Sequence, residues 1–207
     1  MGWLLFVRSY MDIFQRIEQL SYRIAERIGK GDSEEDIELY KYSVFMMLSN
    51  SFTIGVGALL AIGFGYFHVY IPCVITYILL RTVGGGQHCD TFCECFFISN
   101  IIISFCCIMA ILTEDAAEIM WLLSMLVAIN TVPICPKPSS NSPSRGKKED
   151  LRFRKSFAFR SSVFVVLSLV FVIIHRPLIS TSISAGILVL CFVLSDFGER
   201  LISEISN

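Results

Sequence analysis

Charge is scarce in this chain. Only 17% of its 207 residues are charged, against 54% hydrophobic. With a mean hydropathy of +0.65, that scarcity excludes an ordinary soluble domain of this size and points to an integral membrane protein. A net charge of −1 gives no reason to expect a nucleic-acid partner. No secretory signal peptide is expected, since Met1 to Leu5 lead into charged, amphipathic sequence rather than an apolar core with a small-residue cleavage site, and internal segments are expected to insert the chain. Eight cysteines are present, but no Cys-x2-Cys knuckle is among them, which makes a structural zinc site a poor fit. Cys73, Cys106, Cys107 and Cys191 fall inside apolar runs, where a small buried hydrophobe is the expected role, so no disulfide framework is implied.

The charges that do exist gather in residues 8–41 and 137–160, so water-facing and lipid-facing parts alternate. Ile13, Ile17, Leu20, Ile24 and Ile28 recur at helical spacing with Arg and Glu between them, which predicts an amphipathic surface helix within residues 1–31. Gly29 to Gly31 end it, and Ser33 with Asp36 three residues on resembles a capping box that opens the next helix. Residues 32–207 then form one transmembrane unit, all-α, with six apolar segments at 44–67, 69–80, 96–112, 119–133, 161–174 and 178–195. Four to six of these are expected to span. Val69 to Leu80 is about a dozen residues with Pro72 inside, where ~20 are needed, so it is expected to cross a thinned region or enter only partway. Gly55, Gly57, Gly63 and Gly65 in the first segment are expected to permit close helix packing. A basic loop at 136–160 and a basic first 41 residues, with no basic residue in the acidic turn at 113–118, predict that the N-terminus and the loop are both cytoplasmic.

By that count the stretch from Arg81 to Cys95 sits at the cytoplasmic face, and it is where chemistry concentrates. A thiol attacks as the thiolate, which a nearby imidazole can generate. His88 stands close in sequence to Cys89, Cys93 and Cys95, and Gly84, Gly85 and Gly86 could turn backbone N–H groups toward an oxyanion. Spacing alone leaves the choice of cysteine open: on a continuous helix His88 and Cys95 would share a face but stand ~10 Å apart along the axis, whereas catalysis needs ~3 Å. A break after the glycines is therefore required. Asp90 and Glu94 are the nearby acids that could orient His88, although charges at an interface are as a rule simply solvated. The competing roles are a loop of glycines with an interfacial histidine, a metal or redox cluster of His88, Cys89, Cys93 and Cys95, and a small transporter or scaffold that uses the glycines for packing.

Arg81, the Gly-rich turn, His88 and Cys95 seven residues later, followed by apolar segments and the Val132, Pro133, Pro136, Pro138 lead into a basic loop, resemble the accessory gene regulator B (AgrB) family of membrane peptidases. The resemblance runs over nearly the whole chain and lies in order and spacing. It implies a bacterial multi-pass membrane cysteine endopeptidase with His88 and Cys95 as the catalytic pair, and Arg81 with the three glycines as positioning groups. It further implies a short AgrD-like quorum-sensing propeptide as substrate, removal of its C-terminal tail, and cyclisation through an acyl-enzyme thioester to a thiolactone or lactone. A homodimer in contact with membrane lipids is expected, and no cofactor. Cys89 and Cys93 have no counterpart in the family pattern. Lys147 and Lys148 are the candidates to recruit an acidic substrate tail; the other reading of the basic loop is a topology signal that also holds anionic headgroups.

Overall fold

A computed structural model describes residues 16, 19–30, 33–85, 92–136 and 147–205, and among them there are helices and no β-strand. Residues 19–28 form α1, ended by the turn at Gly29 as its spacing requires. Ile13 and Ile17 of that pattern lie outside the described residues. Ser33 then stands just ahead of α2 (Glu34–Gly63), and the Ile37 N–H donates to the Ser33 carbonyl at 3.1 Å, which is the first bond of the helix. The remaining helices are α3 (Phe67–Gly84), α4 (Phe92–Leu112), α5 (Ala117–Thr131), α6 (Lys147–Ile173), α7 (Pro177–Leu194) and α8 (Asp196–Ile205). Short 3₁₀ turns precede and follow α5.

Among the described residues, five stretches are long and apolar enough to cross a membrane: Ser43–Gly63, α3, Glu114–Ile134, α6 and α7; the apolar part of α4, Phe96–Leu112, is shorter. Side chains such as Met47, Leu59, Ile101, Phe105, Ile119, Ile129 and Val166 point outward and are exposed. Large apolar side chains on the outside of a helical bundle are what lipid calls for and water does not.

Three boundaries differ from the hydropathy reading. The first span stops at Gly63 rather than running on to Phe67, because Gly65 adopts φ 79° and closes the helix with paired bonds from the Tyr66 N–H to the Ala61 carbonyl and from the Gly65 N–H to that of Ile62. The second segment is not truncated: α3 is a continuous helix of 18 residues, ~27 Å at 1.5 Å per residue, because the helix takes in Phe67 and His68 before the apolar run and Arg81 to Gly84 after it. And the basic segment at 136–160 is not all loop, because α6 begins at Lys147. Charge ends an apolar run without ending a helix, and Lys147 to Arg160 contain no Gly or Pro and place Glu149 and Asp150 in the favourable first turn.

Successive antiparallel helices bring the end of α3, the start of α4, the end of α5, the start of α6 and the end of α7 to one end of the bundle. At its centre is α7, which packs on α3, α4, α5 and α6 and has 13 of its 18 residues buried. From Ser180 to Gly186 every buried position except Ile183 is small or hydroxylated, so backbones can approach closely and hydroxyls can bond across helices. The Thr181 hydroxyl reaches the Ala110 carbonyl of α4 at 2.9 Å. Of the four glycines in α2 and its turn, Gly57 alone has the expected packing role, since a Cβ there would collide with the Tyr70 hydroxyl and ring edge, while Gly55 and Gly63 face open space. At the far end of α7 the Ser195 hydroxyl accepts the Gly198 N–H at 3.1 Å and starts α8.

Candidate active site at the end of the third helix

α3 delivers the site. In its last two turns Tyr77 is buried and Arg81 stands one turn further on, so the Arg81 Nη1 donates to the Tyr77 hydroxyl at 3.1 Å and the guanidinium lies 5.8 Å from the centre of the Tyr77 ring. The end of the helix is held from outside: Arg160 of α6 donates through Nη1 to the Leu79 carbonyl and to the Thr82 hydroxyl, both at 2.8 Å. The Leu79 carbonyl also accepts the Thr82 hydroxyl at 3.0 Å, so Arg160 adds a further donor near the C-terminal end of α3, where a cation suits the negative end of the helix dipole. Gly84 completes the clamp. A Cβ there would lie 3.0 Å from Leu194 Cδ1 and 3.2 Å from Phe157 Cε2, so the glycine lets α3 seat against α6 and α7.

Gly85 follows with φ 75°, a conformation open to glycine, and its N–H donates to the Arg81 carbonyl at 3.1 Å. In this conformation that amide is already used, and Gly84 lies within the helix, so neither offers a free N–H to a substrate. Gly86, His88, Cys89 and Asp90 lie outside the described residues. The chain is described again from Phe92, the first residue of α4, with Cys95 in its first turn. Phe96 is buried and stacks at a tilt on Phe52 of α2 with ring centroids 5.6 Å apart, which pins that first turn against the neighbouring helix.

Between α2, α3 and α4 lies a cavity of about 200 Å³. Its lining is polar for a bundle this apolar: Asn50 and Thr53 from α2, Tyr77, Arg81 and Thr82 from α3, and Ser99 from α4. Cys95 stands four residues, one helical turn, before Ser99. Of the expected site residues, Arg81 and Gly85 therefore line one cavity and Cys95 belongs to the helix that walls it, whereas Gly84 packs the helix ends. Lys147 and Lys148 are exposed at the start of α6. Sequence reading missed Asn50, Tyr77, Ser99 and Arg160. Only Tyr77 carried a local signal, its spacing of four from Arg81.

The other thiols are placed differently. Cys73, Cys106, Cys107 and Cys191 are buried as their apolar surroundings predict, with the Cys73 thiol donating to the Ser182 carbonyl at 3.3 Å. Cys135, just past the span that ends at Ile134, is 1% exposed. Burial, with Cys191 nearby, pushes its thiol up to about 12 against a smaller opposing pull from Arg154. A thiol so held is inert as a nucleophile.

No curated protein and no solved structure matches the chain. A family model described as Accessory gene regulator B matches residues 21–194, a span that includes α2 to α7 and the cavity between them, and the chain therefore belongs to the accessory gene regulator B family.

Proposed function

We propose that this protein is a membrane cysteine endopeptidase that processes a quorum-sensing propeptide, with Cys95 as nucleophile and His88 as its base. The observation that carries the reading is the polar cavity walled by Arg81 and Ser99, with Cys95 one turn from Ser99 in the first turn of α4. Membership of a family associated with peptidase activity supports it. A thiol in a first helical turn is eased toward the thiolate by the positive end of the helix dipole. Cys95 attacks the carbonyl at the cut and His88 passes the proton to the leaving amine, which frees the C-terminal tail and leaves the peptide as a thioester on Cys95. A thiol or hydroxyl within the peptide then displaces Cys95 and closes the ring. Thioester for thioester is nearly balanced in energy, so a membrane-edge cavity that keeps water from the intermediate favours cyclisation over hydrolysis.

Arg81, with five N–H donors, is the group proposed to steady the developing oxyanion, together with the amide of Gly86. Gly84 and Gly85 set the turn that leaves α3. The substrate is taken from the cytoplasmic side by an enzyme that acts as a homodimer. The test is co-expression with a propeptide encoded beside the gene, and Cys95→Ser is expected to abolish tail release while the protein still reaches the membrane. Unchanged processing in that variant removes the peptidase assignment, and zinc lost on the same substitution would favour a metal site instead.

A further inference from the structure

The helix α6 sorts its basic residues by face. Arg154 and Arg160 turn inward, Arg154 to the Cys135 carbonyl at 3.0 Å and Arg160 to the end of α3. Lys148, Arg152 and Lys155 turn the other way and line a shallow groove of about 440 Å³ together with Leu151, Ser156 and Phe159. No described acid pairs with any of the three cations.

What this groove faces is fixed by continuity along the helix. Going back from Ile173, the exposed positions Val170, Val166, Val163 and Phe159 follow steps of three and four and form one outward stripe. The same steps continue into Lys155, Arg152 and Lys148. The surface that is apolar through the span thus becomes basic at its end without changing direction, and Phe159 at the junction is 71% exposed. Buried Phe157, two residues away, lies on the opposite side, toward α3 and α7. The groove therefore opens away from the polar cavity.

Length agrees with direction. The 27 residues of α6 make a helix of ~40 Å, about 10 Å more than the ~30 Å hydrocarbon core. Counting ~20 residues back from Ile173 sets the hydrocarbon edge near Arg154. Lys155 then sits at that edge, with Arg152 and Lys148 in the headgroup layer above it, and their long stems can follow the apolar surface while the charges reach phosphate.

We propose that this groove is a binding site for an anionic phospholipid, its phosphodiester held by Lys148, Arg152 and Lys155 and one acyl chain lying along Phe159, Val163 and Val166. An acidic peptide tail, the other candidate occupant, fits the charges but gives no reason for them to continue a lipid-facing stripe on the side away from the cavity. The proposal does not depend on the peptidase reading, because its readout is bound lipid.

The full-length protein is reconstituted into nanodiscs of equal parts phosphatidylglycerol and phosphatidylcholine, and the lipids retained on release are counted by native mass spectrometry. Wild-type protein is expected to retain phosphatidylglycerol preferentially. The triple variant Lys148→Gln, Arg152→Gln, Lys155→Gln is expected to lose that enrichment by roughly tenfold or more, at about fivefold per charge near the surface. Arg176→Gln, at the other end of the span, is expected to keep it. Should the triple variant not insert, the single substitutions read the same quantity. Absence of enrichment in the wild type, enrichment kept by the triple variant, or equal loss in Arg176→Gln overturns the proposal. So does an acidic peptide that binds wild type and not the triple variant while phosphatidylglycerol retention is the same in both.

Discussion

Cys135 stands at the same end of the bundle as the first turn of α4, and its burial removes it as a rival nucleophile. Cys135 is closed off, and burial raises its thiol to about 12. An acid whose folded pKa exceeds its unfolded value of ~8.5 stabilises the fold fully below that unfolded value, and the contribution is lost as pH rises through about 12. In native membranes at pH 8 a maleimide is therefore expected to leave Cys135 unmodified, and stability is expected to fall above pH 9 by more in the wild type than in Cys135→Ala. Labelling of Cys135 at pH 8 without unfolding contradicts this, and peptide mapping by mass spectrometry decides it. The roles of the isolated apolar cysteines were legible in sequence because burial follows from neighbours on the same helix. The polar wall of the cavity was not, since Asn50 and Ser99 look like ordinary residues until three helices have packed, and neither was the bond that Arg160 makes to α3.

At the scale of the element, α3 owes its site geometry to a partner far away in sequence. Arg160 bonds a carbonyl 81 residues distant, and no periodicity in either segment announces that pairing. Hydropathy located all six apolar segments because lipid imposes its rule on each helix separately. It misplaced their ends where the cause was a glycine in the left-handed region, as at Gly65, or a charged helix that continues past its span, as in α6. Arg160→Gln is expected to loosen the last turn of α3, since a neutral side chain loses the charge-assisted bonds, at a cost of about 1.5–3 kcal/mol. On the peptidase reading, propeptide processing should fall severalfold while Arg176→Gln stays near wild type. Equal activity of the two variants would separate the clamp from catalysis.

The whole molecule turns on α7, and its stability should depend on hydroxyls rather than on apolar area. Helices already in lipid gain little from burying apolar surface against one another, so packing and inter-helix hydrogen bonds must hold the bundle. Ser168 of α6 is the meeting point: its hydroxyl lies 3.1 Å from the Ser180 carbonyl, 2.8 Å from the Ser180 hydroxyl and 2.9 Å from that of Ser184, and Ser184 is 3.4 Å from the Ser124 hydroxyl of α5. Three helices are thereby joined through four buried serines. A single bond of this kind in a membrane is worth about 0.6 kcal/mol and at most ~1.7, because the separated helices find other partners. Ser168→Ala is therefore expected to cost toward the upper figure, as it breaks bonds to both Ser180 and Ser184. Ser168→Val should cost a further ~1–3 kcal/mol by overfilling a closely packed contact. The network makes a sharper prediction than either value. If the serines act as one unit, Ser184→Ala in the Ser168→Ala background should cost less than it does alone, since their shared bond is already gone. Unfolding in mixed detergent micelles measures all four species of that cycle, and strict additivity would mean that α7 is held by side-chain fit and not by its hydroxyls.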